Sequence, residues 1–261
     1  MPLATTVPGI RISGDRPAGS YVEDEVALEA PINIFLNGRQ FATLFATPHD
    51  LEDLAYGHLL GEGIIDRVED VVSLEVDGTD LLVTLASDVE ERMERHREAR
   101  LIISSCGSVE DYFEALNRIA RPRVRSNYRV SVAELLGAVR GMSSESSSFK
   151  HSVAVHTAAL YSGGREVARV EDVSRHVTVD KVIGRAARLG VDFGRSILAT
   201  TGRQASDMIL KAGRVGVPIT VSLRGPLYSG IYSALKVGIT LVSTTRGKGL
   251  TIYTHPERII L

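Results

Sequence analysis

The chain has little cysteine: Cys106 is its one such residue in 261. A single cysteine excludes an intramolecular disulfide framework and favours a reducing compartment, so we expect a cytoplasmic protein. The sequence also lacks an apolar run near the ~18 residues that a membrane span requires. Its formal net charge is only −2. Neither a membrane span nor a global attraction to nucleic acid or to a membrane surface is therefore predicted.

Several motifs of nucleotide-dependent and hydrolytic enzymes are absent. There is no Walker phosphate loop, no G-x-G-x-x-G after a strand, and no serine nucleophile elbow. His156 lies among apolar residues, but a zinc deaminase also requires a glutamate two residues later and a cysteine pair. Ala158 stands at that position, and the chain has no second cysteine. We therefore expect no tightly bound zinc, and a single such histidine is usually a hydrogen-bonded structural residue.

The pattern of elements changes along the chain. Residues 1–20 are rich in Pro, Gly and Thr without the apolar core of a signal peptide, which predicts a flexible leader. Residues 21–100 predict an N-terminal α+β unit with strands, a hairpin turn at Asn37 and Gly38, and one helix, which Thr47 would cap with Pro48 at its first position. Residues 101–261 alternate β-branched runs with helix-length segments, which predicts an α/β domain with a mostly parallel sheet.

The predicted elements of this α/β domain indicate which edge of its sheet could bind a ligand. Predicted strands cover 196–200, 217–221 and 239–242, and predicted helices begin near Arg175, Gln204 and Leu227. Because ligands of such sheets bind beyond the carboxyl ends of the strands, the loops that follow these strands draw attention.

Those loops share a composition of Ser or Thr, Gly and Arg, at 200–203, 222–226 and 243–249. Glycines let backbone N–H groups approach an anion, helix N-termini favour negative charge, and arginine offers paired donors. Ordinary turn chemistry explains any one of the loops. Three of them at one edge favour a phosphate-rich ligand.

A dense charged cluster lies in 171–181, with Asp172, Arg175, His176 and Asp180 beside apolar residues. Carboxylates, a histidine and basic groups together could bind a polar ligand or move protons. The same pattern is typical of a helix start, with Asp172 or Ser174 as the cap. Both interpretations stay open at this point.

Cys106 lies in a Ser-Ser-Cys-Gly-Ser segment that follows the apolar run 101–103. Small neighbours on a turn after a strand favour an accessible thiol, which could act as a nucleophile or sulfur carrier. A buried and inert thiol explains this pentapeptide equally well.

Several short segments, in one shared order, resemble the formate dehydrogenase accessory sulfurtransferase family (FdhD/NarQ). They lie at 46–57, 61–65, 104–107, 156–159, 171–181, 202–203 and 246–253. The resemblance implies a cytidine-deaminase-like three-layer α/β/α domain with a smaller N-terminal unit, and a homodimer. It also implies a domain that lacks the zinc residues of the deaminases.

The resemblance further implies a function in molybdenum cofactor biosynthesis. Such a protein takes sulfur from a cysteine desulfurase as a persulfide, here on Cys106. It passes the sulfur to a molybdenum (or tungsten) bis(molybdopterin guanine dinucleotide) cofactor, which is a bound substrate, for formate dehydrogenase or a related molybdoenzyme. The positions expected to bind this guanine nucleotide or shape its pocket are Thr244, Thr245, Arg246, Gly247, Lys248, Gly249, Arg203, Asp172, Arg175, His176 and Asp180.

One departure from the family pattern concerns the thiol itself. The family usually has Cys-Gly-x-Cys, and this chain has Val109 at the second cysteine position. One thiol is enough to accept and release a sulfur atom, whereas relay within the motif needs two. The alternative is a non-catalytic chaperone or adaptor that binds the cofactor for an oxidoreductase.

Overall fold

The computed structural model describes residues 4–14, 16–86, 122–144, 154–244 and 249–261. The described strands form one six-stranded sheet, one four-stranded sheet and two two-stranded sheets. Among these described residues, no helix is both long enough and apolar enough to cross a membrane.

An antiparallel ribbon occupies the N-terminal part of the chain, in strands β1 (Ala4–Ser13) and β2 (Arg16–Ala27). The sequence predicts a flexible leader over residues 1–20, without a strand. Apolar residues at alternate positions of β1, such as Ile10 and Ile12, explain the extended conformation. Both side chains are more than half exposed, so this ribbon buries little apolar surface.

The N-terminal α+β unit consists of a four-stranded sheet and one helix. In spatial order the strands are β4, β3, β6 and β5. Their bounds are β3 Ala30–Leu36, β4 Arg39–Ala46, β5 Val71–Asp77 and β6 Asp80–Leu85, and helix α1 covers Leu51–Glu62. The predicted hairpin at Asn37 and Gly38 is confirmed, since both residues have positive φ, 48° and 76°.

The predicted start of helix α1 is wrong by several residues. Its N-cap is Asp50, in a left-handed conformation and without a side-chain capping bond. Thr47 is instead fully buried, and its hydroxyl accepts a hydrogen bond from the backbone N–H of Val173, 3.2 Å away. The Thr47 hydroxyl, which the sequence predicts to cap the helix, is therefore used in a tertiary contact with Val173.

The C-terminal domain is built on the six-stranded sheet, in the order β13, β12, β11, β10, β8 and β9. Its strands are β8 His156–Ser162, β9 Arg165–Asp172, β10 Ser196–Thr200, β11 Ile219–Ser222, β12 Thr240–Thr244 and β13 Leu250–Ile252. Strands β10, β11 and β12 are parallel, and β8, β9 and β13 are antiparallel to their neighbours. The sheet is therefore mixed, whereas the sequence predicts a mostly parallel one.

Helices cover both faces of this sheet. They are α2 Val132–Ser144, α3 Arg175–Arg188, α4 Ser206–Arg214 and α5 Tyr228–Val237. On one face, α2 packs in a cluster with Ile197, Ala199 and Val221. On the other, Leu160 and Leu198 join the residues of α3, α4 and α5. A short parallel pair, β7 (Val130–Ser131) with β14 (Ile259–Ile260), adjoins α2. The architecture is mixed α/β.

Helices α1 and α3 cross at very short range, which joins the N-terminal unit to the large sheet. A Cβ atom at Gly57 would lie 1.7 Å from the carbonyl oxygen of Asp180, and one at Gly184 would lie 1.9 Å from that of Asp53. Only glycine permits backbones this close. One continuous apolar core consequently extends from the four-stranded sheet through α1 and α3 to the six-stranded sheet.

Candidate functional site

A tight turn at Thr201 and Gly202, directly after β10, forms the centre of the candidate site. The Ser222 hydroxyl donates to the carbonyl oxygen of Gly202 at 2.6 Å, which ties the turn to the end of β11. The Thr201 N–H donates to the carbonyl of Thr157 at 3.0 Å, and the Thr157 N–H donates to the Thr201 hydroxyl at 3.0 Å. The turn is thus held between β8 and β11 at the carboxyl edge of the parallel strands.

Arg175, the first residue of α3, packs directly on this turn. A Cβ atom at Gly202 would lie 2.8 Å from the Cβ of Arg175, so the close approach requires glycine. The Nε of Arg175 is buried and has no hydrogen-bond acceptor among the described residues. A buried guanidinium N–H without an acceptor is costly. An anionic oxygen bound at the turn would remove that cost.

Other basic side chains surround the same turn. Burial and the charges of Arg175, Arg224 and His176 together lower the pKa of His156 below its ordinary 6.5, and Asp172 opposes them. Arg224 is exposed and follows β11, with its N–H bonded to the Ser222 hydroxyl at 2.9 Å. Positive charge therefore converges on the turn, and this arrangement suits a phosphate or another oxyanion.

The remaining described members of the predicted site lie around this centre. Nδ1 of His176 is 2.5 Å from the carboxylate of Asp207, which links the first turns of α3 and α4. The Thr244 hydroxyl donates to the carbonyl of Leu223 at 3.2 Å and so ties the end of β12 to the loop after β11. Arg203 and Gly249 are exposed.

Asp172 is fully buried and accepts three hydrogen bonds. Its Oδ2 lies 2.6 Å from Nζ of Lys181 and 3.1 Å from the N–H of Thr47. Its Oδ1 accepts from the Ser174 N–H at 2.8 Å. Ser174 caps α3, as one interpretation of the sequence predicts, because its hydroxyl accepts from the N–H of Val177. Asp172 thereby fixes the turn that carries Arg175.

Asp180, in helix α3, is also buried. Nζ of Lys211 lies 2.7 Å and 2.8 Å from its two carboxylate oxygens, and Nδ1 of His58 lies 3.0 Å from Oδ2. Glu62 adds a second carboxylate 3.6 Å from Lys211. Asp172 and Asp180 are therefore both engaged by protein cations, and their geometry suits positioning of α3 rather than direct contact with a ligand.

Five of the predicted site residues lie outside the described residues: Cys106, Thr245, Arg246, Gly247 and Lys248. The described strand β12 ends at Thr244, one residue before the last four of them. Within the described ranges, no group of three or more His, Cys, Asp or Glu side chains could hold a metal ion.

The structure adds His156 to the site, and it singles out Thr201 and Arg224 within two of the loops that the sequence predicts to bind an anion. His156 begins β8, which runs antiparallel to β10, so its N-terminal end meets the carboxyl end of β10. The pairing of β8 with β10 is not visible in a single sequence. The one available indication was the Ser/Thr, Gly and Arg composition of the loops that contain Thr201 and Arg224.

Comparisons with known proteins agree with the resemblance seen in the sequence. The profile of the FdhD/NarQ family matches residues 27–260. A sulfur carrier protein FdhD of Methanothermobacter thermautotrophicus is 36% identical over 261 residues, which is the whole of both chains. One of Bacillus subtilis is 30% identical over 242 residues, or 92% of each chain.

Among solved structures, a formate dehydrogenase accessory protein from Desulfotalea psychrophila has the same fold. The two structures superpose with a TM-score of 0.78, and the match covers 99% of this chain and 100% of the other. The sequences are 27% identical.

Proposed function

This chain belongs to the FdhD/NarQ family, and on that premise we propose that it is an accessory sulfurtransferase. Cys106 carries sulfur as a persulfide from a cysteine desulfurase. The acceptor is a molybdenum or tungsten bis(molybdopterin guanine dinucleotide) cofactor, bound as a substrate before it enters formate dehydrogenase or a related enzyme. The names of the relatives, sulfur carrier protein and formate dehydrogenase accessory protein, support this proposal.

The observation that supports cofactor binding is the buried Nε of Arg175 against the turn at Gly202, which has no hydrogen-bond partner in the part of the chain that the structure describes. A dinucleotide pterin carries several phosphates, and a phosphate oxygen would supply the missing acceptor. Arg224 adds a second guanidinium at the same edge, and this one is exposed. Arg246 and Lys248 follow β12 in the sequence and would add two further cations.

The loading step of the proposal needs one thiol. The Cys106 thiolate attacks the outer sulfur of the desulfurase persulfide, so that a new sulfur–sulfur bond forms on Cys106. The sulfur–sulfur bond of the desulfurase breaks, and its own cysteine leaves as a thiolate. No net oxidation occurs, so Val109 in place of a second cysteine does not prevent this step.

The test is transfer of labelled sulfur. The purified chain is incubated with a cysteine desulfurase and ³⁵S-cysteine, and label on the protein is measured under non-reducing conditions and after a thiol reductant. We expect reductant-labile label on the native chain and none on Cys106→Ala. Equal labelling of the two proteins would end the sulfurtransferase proposal.

The same preparations separate the adaptor alternative, which Val109 favours. Guanosine diphosphate serves as a probe of the nucleotide site, and its affinity is measured by calorimetry for the native chain and for Cys106→Ala. A sulfurtransferase binds the nucleotide in both forms and loses label only in the variant. Nucleotide binding by a native chain that never acquires label would support the adaptor.

A further inference from the structure

The two ring nitrogens of His156 differ in their contacts: Nδ1 is within hydrogen-bond distance of Thr201, and Nε2 has no partner among the described residues. Nδ1 lies 3.2 Å from the hydroxyl oxygen of Thr201. Nε2 makes no hydrogen bond to any residue that the structure describes, and the ring is partly exposed. Since His156 begins β8 at the carboxyl edge of β10, this free nitrogen lies at the same edge as the turn and Arg175.

The hydrogen bonds of Thr201 are compatible with a neutral ring that carries its proton on Nε2. The Thr201 hydroxyl already accepts from the Thr157 N–H at 3.0 Å, so it has one proton to donate. Two acceptors compete for it: Nδ1 of His156 at 3.2 Å, and the carbonyl of Thr157 at 3.4 Å. That carbonyl already accepts the Thr201 N–H at 3.0 Å. With Nδ1 as the acceptor of this proton, the neutral ring carries its own proton on Nε2.

The charges that face His156 favour the neutral form of the ring. Arg175 and His176 act from the start of α3, and Arg224 acts from the loop after β11. Asp172, at the end of β9, is the opposing carboxylate, and Lys181 already neutralises it at 2.6 Å. Partial burial of the ring also lowers the pKa of His156, as these cations do.

We propose that His156 is a ligand-binding residue of this edge, where its Nε2–H donates to an anionic oxygen that Arg175 also contacts. The inference rests on the proposed function for the identity of the anion, a nucleotide phosphate. It does not depend on sulfur transfer. As a neutral donor the ring adds specificity without adding to the repulsion among the cations. A bound phosphate favours protonation, so the affinity for an anion rises as the pH falls.

The experiment compares two substitutions of this histidine. Guanosine diphosphate binding is measured by calorimetry between pH 6 and 8 for the native chain, H156A and H156Q. Glutamine keeps a neutral N–H donor, so H156Q should retain most of the affinity at pH 8. The affinity of H156A for guanosine diphosphate should be about 10-fold to 100-fold lower than that of the native chain, as expected when a hydrogen bond to a charged group is removed.

The pH dependence supplies the second readout. The phosphate of the probe titrates in the same range for every variant, so the comparison between variants removes its contribution. The native chain should gain more affinity than H156Q between pH 8 and pH 6. The matched control is H255Q, since His255 lies at the opposite edge, where its carbonyl accepts from the Thr240 hydroxyl at the start of β12. H255Q should behave as the native chain.

One measurement does not need any variant to bind. The His156 ring is titrated by NMR in the native chain with and without inorganic pyrophosphate, and its resonance is assigned by its loss in H156Q. We expect pyrophosphate to raise the pKa of His156. An unchanged titration, or unchanged affinity in H156A, would overturn the inference. A chain that binds the nucleotide through His156 yet takes no labelled sulfur would refute the proposed transfer alone.

Discussion

Nζ of Lys181 lies 2.6 Å from Oδ2 of Asp172, and neither side chain is exposed to solvent. Lys181 also donates to the carbonyl of Thr47 at 2.9 Å. Burial raises the pKa of Asp172 and lowers that of Lys181, because the interior disfavours each charge, although each charge stabilises the other. The pair joins the β4–α1 loop to the end of β9 and to α3, and so connects the N-terminal unit with the turn that carries Arg175.

Replacing Lys181 with Met should destabilise the protein by about 3–5 kcal/mol, because the Asp172 carboxylate would stay buried without its cation. The measurement is urea unfolding followed by circular dichroism. The control is the double variant Asp172→Asn with Lys181→Met, in which neither position carries a charge. Its free energy of unfolding should fall by less than that of Lys181→Met alone. A double variant at least as unstable as the single one would contradict this account.

Asp50 should make the stability depend on pH in the acid range. Burial opposes its ionisation, but His49 and Arg185 outweigh burial and lower its pKa from 3.8 to about 2. Nη2 of Arg185 lies 2.6 Å from its Oδ2. A lowered pKa stabilises the folded state above the unfolded value, and the stabilisation is lost as the pH falls through the folded one.

The test is the variant Asp50→Asn, since asparagine tolerates the left-handed backbone at this position, φ 51°. At pH 6 it should be less stable than the native chain by roughly 2 kcal/mol. The difference should shrink as the pH falls from 4 to 2. Urea unfolding across that range measures it, and a difference that is constant with pH would count against the electrostatic cause.

Gly57→Ala should disrupt the crossing of α1 and α3. The new Cβ would lie 1.7 Å from the Asp180 carbonyl, so the helices would have to separate. A loss above about 3 kcal/mol is expected, as for severe overpacking of a core. Gly137→Ala in α2 is the matched control, because no atom lies within 4 Å of its Cβ position.

The control should be slightly more stable than the native chain, by about 0.5–1 kcal/mol, since alanine favours a helix over glycine. Thermal unfolding of both variants gives the comparison. Equal stabilities of the two variants would contradict a steric conflict at the crossing of α1 and α3.

Arg175→Gln should weaken the binding of guanosine diphosphate by roughly 10-fold to 100-fold, because a charge-assisted hydrogen bond is lost. Arg165→Gln is the matched control. Arg165 is exposed at the start of β9, and only the end of that strand, at Asp172, lies beside His156. Isothermal calorimetry at low salt should find native affinity in the control. Native affinity in Arg175→Gln as well would remove this arginine from the site.

Elements defined by neighbouring residues were predictable from the sequence. The hairpin at Asn37 and Gly38 depends on two residues that tolerate positive φ. The start of α3 at Arg175 depends on the Ser174 cap one residue before it. Both features need only local conformational preferences, so a sequence-based prediction of them does not require knowledge of the rest of the fold.

Partners distant in the chain were not predictable from the sequence. Thr47 resembles a helix cap, yet its N–H is bonded to Asp172, 125 residues away. Asp180 resembles a polar site residue, yet it is buried between Lys211 and His58. Which charge pairs with which depends on how α1 crosses α3, and that crossing is a property of the packed core.

The amino-acid sequence by itself determined the family, the alternation of strands and helices, and the edge of the sheet where basic loops gather. These features are predictable because the order of motifs and the periodicity of apolar residues depend only on the order of residues in the chain. Only the tertiary structure decided that His156, Thr201 and Arg175 meet at one turn, and that Asp172 and Asp180 are internal partners of lysines. Strand pairing and helix crossing create these contacts, because they bring together side chains that are far apart in the sequence. Their positions in the sequence do not indicate that they are close in space.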